Sequence, residues 1–506
     1  MREQVTEGQS GPTLRKGSLG LAGAATLGAI MMAPALGLYG NWGPMAQDIG
    51  QVGPLIFLAG LLVSIPTAIS YAVISRKMPS SGSAYTWLWR ALSPSIGIWI
   101  GWMLIGYYVI AVILQPYLFG IYFSELLKYF NFISAPAAGG YDYLPYLVGV
   151  VIVTALGGIL VYGGIQLSVK STLVVMAIEV AVVTILCLTI LVVKGTNGGF
   201  SLEPFNPNAL AAPEGKTAWD AFFAAMILAV LSYTGFDVIS TVAEETKSPR
   251  SIIPQATLIS CIGVGLFWTF GSWALSIAVP MSQVNDLVAS GFTPIVPIAK
   301  EFLGAFDLVV IITALTAATG VFVATAVGAT RVVFAMGREG TLPSVFGKVE
   351  GRTQAPWNAG HLVFAISLIA TIVWPLWLTN TGTGSPDPLA SFVWFAGAIT
   401  FFALVVYIFV NLSNTIFHWR FARSEFNVIT NLIVPIIGIV VDVVLMWNAF
   451  FVSLWNASDF RIGQAVVYAC IAVLALGVVY TLWLRTTKPA LLKGQALVFE
   501  EHTADA

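Results

Sequence analysis

Charged residues are scarce in this 506-residue sequence. They make up 9% of the chain, while 58% of the residues are hydrophobic, and a typical soluble domain carries about 25% charged residues. This shortage of charge excludes an ordinary soluble protein. The net charge of −1 gives no reason to expect a nucleic-acid partner.

The sequence also lacks the motifs of enzymes and cofactor sites. It contains no phosphate-binding loop, no zinc-ligand spacing and no Ser/His/Asp arrangement, so we expect neither an enzyme nor a bound cofactor or metal. The only cysteines, Cys187, Cys261 and Cys470, lie inside apolar runs. That position is typical of small buried side chains rather than of disulfides.

Long apolar runs are abundant instead. Each is long enough to cross about 30 Å of hydrocarbon as a helix. We therefore expect an all-α membrane protein with twelve transmembrane helices. Their expected positions are residues 18–40, 52–75, 86–122, 143–163, 170–194, 218–243, 255–281, 303–335, 358–378, 388–412, 427–452 and 462–485.

The basic residues indicate the orientation. If the N-terminus is cytoplasmic and twelve helices alternate, most of the 23 Lys and Arg residues lie in the cytoplasm. Only Lys128, Lys194, Lys216, Lys300 and Arg461 then lie outside. This bias follows the positive-inside rule, so we expect a multi-pass protein of the cytoplasmic membrane, surrounded by lipid, with both termini in the cytoplasm.

Two of the apolar runs carry helix-breaking residues in their middle. In "GAIMMAPALGLYG", Pro34 removes a backbone donor and the glycines weaken the helix. The sixth run contains "SYTGFD", Ser232–Asp237. Broken helices at matching positions of two inverted five-helix halves indicate a transporter site at mid-membrane. We therefore expect helices one and six to be broken near Met32–Gly37 and Ser232–Asp237, and to face each other.

Three segments resemble the amino acid–polyamine–organocation transporters. They are "SRKMPSSGSAYTWLWRAL" (Ser75–Leu92), "GFDVISTVAEETKSPRSIIPQA" (Gly235–Ala256) and "ATRVVFAMGREGTLPSVFGKVEGRTQAPWNA" (Ala329–Ala359). The resemblance implies a five-plus-five inverted-repeat core with two further C-terminal helices, and secondary transport by alternating access. The division it implies is a cytoplasmic tail 1–16, a first repeat 17–194, a second repeat 218–412, helices 11 and 12 in 425–485, and a cytoplasmic tail 486–506.

The substrate site is expected at the two breaks, where backbone amides and carbonyls are free to bind a ligand. Pro34 withdraws one amide, a pattern similar to some polyamine importers of this family, and this favours an amine substrate over recognition of a substrate carboxylate. Phe236 is expected either to gate the site or to pack within the helices. The expected substrate-binding residues are Met31, Met32, Ala33, Ala35, Leu36, Gly37, Ser232, Tyr233, Thr234, Gly235 and Phe236.

An internal gate is expected at the cytoplasmic end of the sixth helix. Glu244 either joins this gate by pairing with a basic residue such as Arg76 or Lys77, or is a solvated helix end. For Glu245 the solvated position is favoured. The residues expected to anchor the cytoplasmic end of the eighth helix are Arg331 and Arg338.

Two acids inside the membrane indicate proton coupling. An ionised acid at a helix centre costs roughly 2.5–3.5 kcal/mol on insertion scales, so Glu179 and Asp237 are expected to bind protons. Of the two, we favour Glu179 as the proton carrier. Sodium-coupled relatives have two hydroxyls on the eighth helix, where this chain has Thr319 and Gly320. Thr319 is therefore a weaker candidate for a sodium ligand.

The expected function is a proton-coupled secondary transporter for amino acids or related amines. The alternatives are an exchanger for polyamines or other amines without ion coupling, and a membrane sensor of the same fold that transports nothing. The substrate, the coupling ion and the oligomeric state stay open at this point.

Overall fold

Helices that cross the membrane dominate the computed structural model, which describes residues 14–134, 142–290, 294–380, 384–456 and 459–493. Within these residues there is no β-strand, and twelve helices are long and apolar enough to span a bilayer. The expected all-α membrane fold is confirmed. In chain order the spans are α1 Leu21–Ile49, α2 Gly53–Lys77, α3 Pro94–Tyr129, α4 Tyr143–Tyr162, α5 Ile165–Thr196, α6 Ala218–Glu245, α7 Pro249–Ala278, α8 Asp307–Arg338, α9 Trp357–Trp377, α10 Pro388–Phe421, α11 Ile429–Leu454 and α12 Gln464–Thr487.

Short helical segments connect several of these spans. They are Ala84–Ala91, Glu203–Phe205, Pro207–Ala209, Met281–Ser290, Ile295–Leu303, Gly304–Phe306, Ser344–Gly347 and Arg423–Glu425, and the short helix Leu491–Lys493 follows the last span. The expected tails 1–16 and 486–506 fall mostly outside the described residues.

The third expected span, residues 86–122, was placed wrongly. The structure divides this stretch into the short helix Ala84–Ala91 and the span α3. The division occurs because Ser93 caps a new helix by accepting a hydrogen bond from the Ile96 amide at 3.3 Å, and Pro94 fits the first position of a helix. The span therefore begins and ends later than the apolar run suggested.

The twelve spans differ in how much protein surrounds them. Helices α1, α3, α6, α8 and α10 are the most buried, whereas α5, α11 and α12 present most of their surface outward. The two broken helices therefore lie in the protein interior, where neighbouring groups can satisfy irregular backbone. The inverted five-plus-five arrangement stays a prediction.

The break in α1 separates the half-helix α1a, Leu21–Met31, from α1b, Pro34–Ile49. Ala33 has the left-handed conformation with φ +56° and ψ +67°, which is uncommon for a residue with a side chain. Pro34 explains this position, because proline disfavours the helical conformation of the residue before it and suits the start of a new helix. The first expected break is confirmed.

The break in α6 separates α6a, Ala218–Tyr233, from the tightly wound α6b, Phe236–Glu245. Gly235 joins them with φ +132°. A Cβ atom at this position would lie 3.0 Å from the Met31 carbonyl carbon and from the Met32 nitrogen. The second break is confirmed as well, and the two breaks touch backbone to backbone.

We predict that Gly235→Ala destabilises the protein, because its φ angle and the nearby α1 backbone both require glycine. Backbone strain of this kind costs about 1–3 kcal/mol, before any cost of displacing α1. Thermal unfolding in detergent measures the effect. Gly263→Ala is the matched control, since Gly263 lies within α7 with no atom near the added methyl group. An equal loss of stability in the two variants would contradict the contact between the breaks.

Candidate functional site

A cavity lies against both breaks. About 70 Å³ of it is open to a water-sized molecule, so the free space in the cavity is small in this conformation. Five spans, α1, α3, α6, α8 and α10, form its walls. The lining residues are Met31, Met32, Ala33, Leu36, Gly37, Gly40, Asn41, Ala111, Leu114, Gln115, Leu118, Tyr122, Leu231, Ser232, Thr234, Val321, Thr325, Phe392 and Ile399.

The residues expected to bind substrate divide into two groups. Those that line the cavity are Met31, Met32, Ala33, Leu36, Gly37, Ser232 and Thr234. Those absent from its lining are Ala35, Tyr233, Gly235 and Phe236. The cavity thus meets the first break on both sides of Pro34 and Ala35, and the second break mainly at the end of α6a.

The two aromatic residues of the second break pack within the protein. The Tyr233 hydroxyl donates to the Phe57 carbonyl oxygen at 2.8 Å, and its ring packs edge-on against Trp268. Phe236 is fully buried and stacks on Tyr407, with Tyr71 against its edge. In this conformation Phe236 therefore packs between helices rather than covering the cavity.

Residues of α1b, α3 and α8 contribute polar groups that the sequence did not predict. Asn41 donates to the Ser232 hydroxyl oxygen at 2.7 Å, which ties α1b to α6a across the cavity. Gln115 and Thr325 add an amide and a hydroxyl from α3 and α8. A signal for Gln115 was present, since it is a lone amide in the apolar stretch "VIAVILQPYLFG".

The start of α1b offers few free amides. Pro34 has none, the Gly37 N–H donates to the Ala33 carbonyl oxygen at 2.8 Å, and the Ala35 N–H points to a Glu179 carboxylate oxygen at 3.4 Å. Among the described residues, no acceptor meets the Leu36 N–H. Leu36 also lines the cavity, so its amide is the donor that a bound anionic group would meet there.

Glu179 lies where the sequence placed it, beside the first break. It is fully buried on α5 and reaches α1b only through the long contact to the Ala35 amide. Its second oxygen, Oε1, has no hydrogen-bond partner among the described residues. A carboxylate this poorly satisfied suits a group that takes up and releases a proton.

Asp237, unlike Glu179, is surrounded by hydrogen-bond donors. Three phenols donate to its carboxylate: Tyr107 at 3.0 Å, Tyr108 at 2.5 Å and Tyr407 at 2.9 Å. The Gly235 amide donates as well, at 3.2 Å. Four donors satisfy both oxygens of an ionised carboxylate, so Asp237 joins the second break to α3 and α10.

Two ion pairs join α6b to α8 on the side of the protein where α1 begins, here called the N-terminal side. Glu244 accepts two hydrogen bonds from Arg338, both at 2.8 Å. Glu245 accepts two from Arg331, at 3.0 and 3.2 Å, and both side chains of this pair are 1% exposed. Bidentate pairs of this kind fix both position and orientation.

These pairs correct two expectations. Glu244 binds Arg338 rather than Arg76 or Lys77, because the latter lie at the end of α2 and Lys77 pairs with Glu425 instead. Glu245 is buried rather than solvated. Beyond any anchoring at the membrane surface, the two arginines of α8 are partners of the α6b acids.

Two backbone segments also contact α6b on the N-terminal side. The amides of Ser18 and Leu19 both donate to the Glu245 carbonyl oxygen, at 2.8 and 3.0 Å, and the Lys247 amide donates to the Leu19 carbonyl oxygen at 2.9 Å. The Ser81 amide, from the segment before the short helix Ala84–Ala91, donates to the Glu244 carboxylate at 3.3 Å. The N-terminal segment and this connection therefore both hold α6b in place.

Tyr85 adds a further contact on this side. Its hydroxyl donates to the Glu339 carboxylate at 2.6 Å. Burial, together with the charge of Glu339, raises the pKa of the Tyr85 hydroxyl well above its usual value. Tyr85 therefore keeps its proton and remains a donor to the end of α8 throughout the physiological pH range.

The sodium candidate has an internal partner. The Thr319 hydroxyl donates to the Leu315 carbonyl oxygen at 2.9 Å. The neighbouring position, Gly320, faces the apolar side chains of Ile30 and Val175. The part of α8 opposite α1a is thus apolar at this level, which favours the ranking of sodium below the proton.

Comparison with known proteins shows similarity to transporters. A family model described as amino acid permease matches residues 24–493. The low-affinity putrescine importer PlaP of Escherichia coli (strain K12) is 27% identical over 435 residues, which cover 82% of this chain and 83% of that protein. The branched-chain amino acid permease BcaP of Bacillus subtilis (strain 168) is 27% identical over 377 residues, with 72% and 77% covered. The methylthioribose transporter of the same organism is 27% identical over 349 residues, with 65% and 71% covered.

We predict that Glu245→Ala strongly destabilises the protein, because it leaves the buried guanidinium of Arg331 without its carboxylate. Removing one partner of a buried ion pair costs about 3–5 kcal/mol. Thermal unfolding in detergent is the measurement. Glu425→Ala is the control: its partner Lys77 stays in contact with water, so its loss should cost about 0–1 kcal/mol. Similar melting temperatures for Glu245→Ala and Glu425→Ala would contradict the assignment.

Proposed function

This chain belongs to the amino acid permease family, and from that premise we propose that it is a secondary active transporter of amino acids or related organic amines. Its relatives are transporters and permeases rather than enzymes. By their names they carry putrescine, branched-chain amino acids and methylthioribose. All of these molecules are small, and most carry an amino group. The proposed substrate is therefore also a small molecule with an amino group.

The observation that carries the proposal is the contact between two broken helices beside a cavity. Breaks place free backbone groups at membrane depth, and such groups are retained where they bind a substrate. Gly235 against Met31 and Met32 makes this contact. We propose that the substrate binds in the cavity, to backbone groups of both breaks.

In the proposed alternating access, the two ion pairs hold the N-terminal side of the protein closed. The cavity extends from the breaks along α1b and the adjoining part of α3, away from the side where α6b meets α8. The proposed orientation, with the N-terminal side in the cytoplasm, makes this an arrangement closed toward the cytoplasm. Release to the cytoplasm then requires α6b to separate from α8, which breaks the pairs of Glu244 and Glu245.

Proton coupling is proposed through Glu179 rather than Asp237. Glu179 touches the first amide of α1b, and its other oxygen is without a partner in the described residues. A proton on Glu179 changes its interaction with the Ala35 amide, and therefore the relative stability of two arrangements of the first break. Asp237 has four donors, so protonating it would leave donors without an acceptor.

Uptake into proteoliposomes tests the proposed function. Amino acids and diamines are offered under an imposed proton gradient and, separately, under a sodium gradient. We expect accumulation with the proton gradient. Exchange without accumulation under either gradient would support the exchanger. No uptake and no ligand-induced thermal stabilisation across the whole panel would support a sensor and contradict transport.

We predict that Glu179→Gln abolishes proton-driven accumulation but retains exchange, because exchange needs no proton to cross. Retained exchange also shows that the variant is folded. Asp442→Asn is the control: Asp442 is a fully buried acid on α11 held by Thr67 and Asn411, away from both breaks, and accumulation should persist. If Glu179→Gln accumulates substrate with the wild-type dependence on external pH, Glu179 is not the proton carrier. Accumulation driven by sodium instead would contradict proton coupling as a whole.

A further inference from the structure

The cavity contains no side chain that carries a full charge. Among the lining residues that the structure describes, there is no carboxylate, ammonium, guanidinium or imidazole group. Apolar side chains dominate, such as Leu36, Leu118 and Phe392. The buried acids Glu179 and Asp237 are not part of the lining. A ligand in this cavity therefore meets neutral groups only.

Gln115, a polar side chain of the cavity, has an acceptor without a partner among the described residues. Gln115 is 7% exposed, and its Nε2 donates to the Ala111 carbonyl oxygen of the preceding turn at 3.4 Å. Its Oε1 is fully buried and has no hydrogen-bond partner among the described residues. An unsatisfied buried acceptor costs about 1–3 kcal/mol, a cost that a ligand with an N–H donor removes.

The hydroxyls around Gln115 are already engaged within their own helices. Ser232 donates to the Leu228 carbonyl oxygen at 2.8 Å, Thr234 to that of Leu231 at 2.6 Å, and Thr325 to that of Val321 at 2.9 Å. Their oxygens can still accept a hydrogen bond, but Gln115 Oε1 is an amide carbonyl oxygen, a stronger acceptor than a hydroxyl, and it has no partner among the described residues. It is the side chain best placed to distinguish ligands by their nitrogen groups.

We propose that Gln115 determines substrate specificity, and that it selects amino acids with no net charge over diamines; this rests on the proposed transport function. A zwitterion brings one positive and one negative charge that offset each other, and its ammonium group donates to Gln115 Oε1. A diamine brings two positive charges and no negative one. Burying them in a cavity without a carboxylate is costly, because an amide oxygen accepts a hydrogen bond without neutralising charge.

Substrate competition in proteoliposomes tests this inference, with labelled leucine and putrescine as probes. The wild type is expected to take up leucine at least about tenfold more efficiently than putrescine. Gln115→Glu places a carboxylate in the cavity and should move the ratio of kcat/KM toward putrescine by about tenfold or more, a difference of about 1.4 kcal/mol. Gln115→Met keeps the shape without the acceptor, and should raise the KM for leucine several-fold.

The control is Gln255→Glu, the same chemical change on an exposed side chain of α7 outside the cavity; its uptake ratio should match the wild type. Thermal stabilisation by leucine and by putrescine in detergent gives a second measurement on each variant that does not depend on transport rates. A wild type that prefers putrescine, or a Gln115→Glu variant with an unchanged preference in both measurements, overturns the inference. Failure of the proposed function is a different result, namely no uptake of either probe by the wild type.

Discussion

The structure depends on one constraint: every backbone N–H and C=O inside the bilayer needs a partner, because no water is available there. The two breaks meet this need by lying against each other and against side chains of neighbouring helices. Trp268 donates its indole N–H to the Pro34 carbonyl oxygen at 2.9 Å, and the Gly235 amide binds Asp237. The groups left over face the cavity or the carboxylate of Glu179. The polar groups that lack a partner within the protein therefore lie next to the cavity and Glu179, where a ligand or a proton can bind them.

The same constraint explains the contrast between the buried acids. Asp237, Glu244 and Glu245 each receive several donors, and these hydrogen bonds join elements of the fold. Glu179 has a single long contact. In the proposed transport cycle the ion pairs stabilise one arrangement of the helices, and a proton on the poorly satisfied Glu179 shifts the balance between two arrangements. The proposal for Glu179 follows from this difference in partners rather than from burial, which the acids share.

Features encoded within one helix could be predicted from the sequence, and features made between helices could not. The number of spans and both breaks follow from apolar length and from Pro34 and Gly235, which act on their own backbone. The partners of Glu244 and Glu245 depend on how α6b packs against α8, and those arginines lie far away in the chain.

Gln115 was missed for another reason. It lies in a helix that is apolar on every side, so no periodic pattern indicates which face lines a cavity.

In the part of the chain that the structure describes, charged side chains are absent from the cavity lining and concentrated between α6b and α8. The cavity is neutral, and the strong ion pairs lie on the closed side, between α6b and α8. Separating such pairs in a dry interior is costly, but water repays much of this cost when it reaches the separated charges. In the proposed transport cycle, the opening of this side therefore depends on its hydration. Glu244 and Arg338 are already partly exposed, whereas Glu245 and Arg331 are almost completely buried. The pair of Glu244 and Arg338 is thus the more accessible of the two to water.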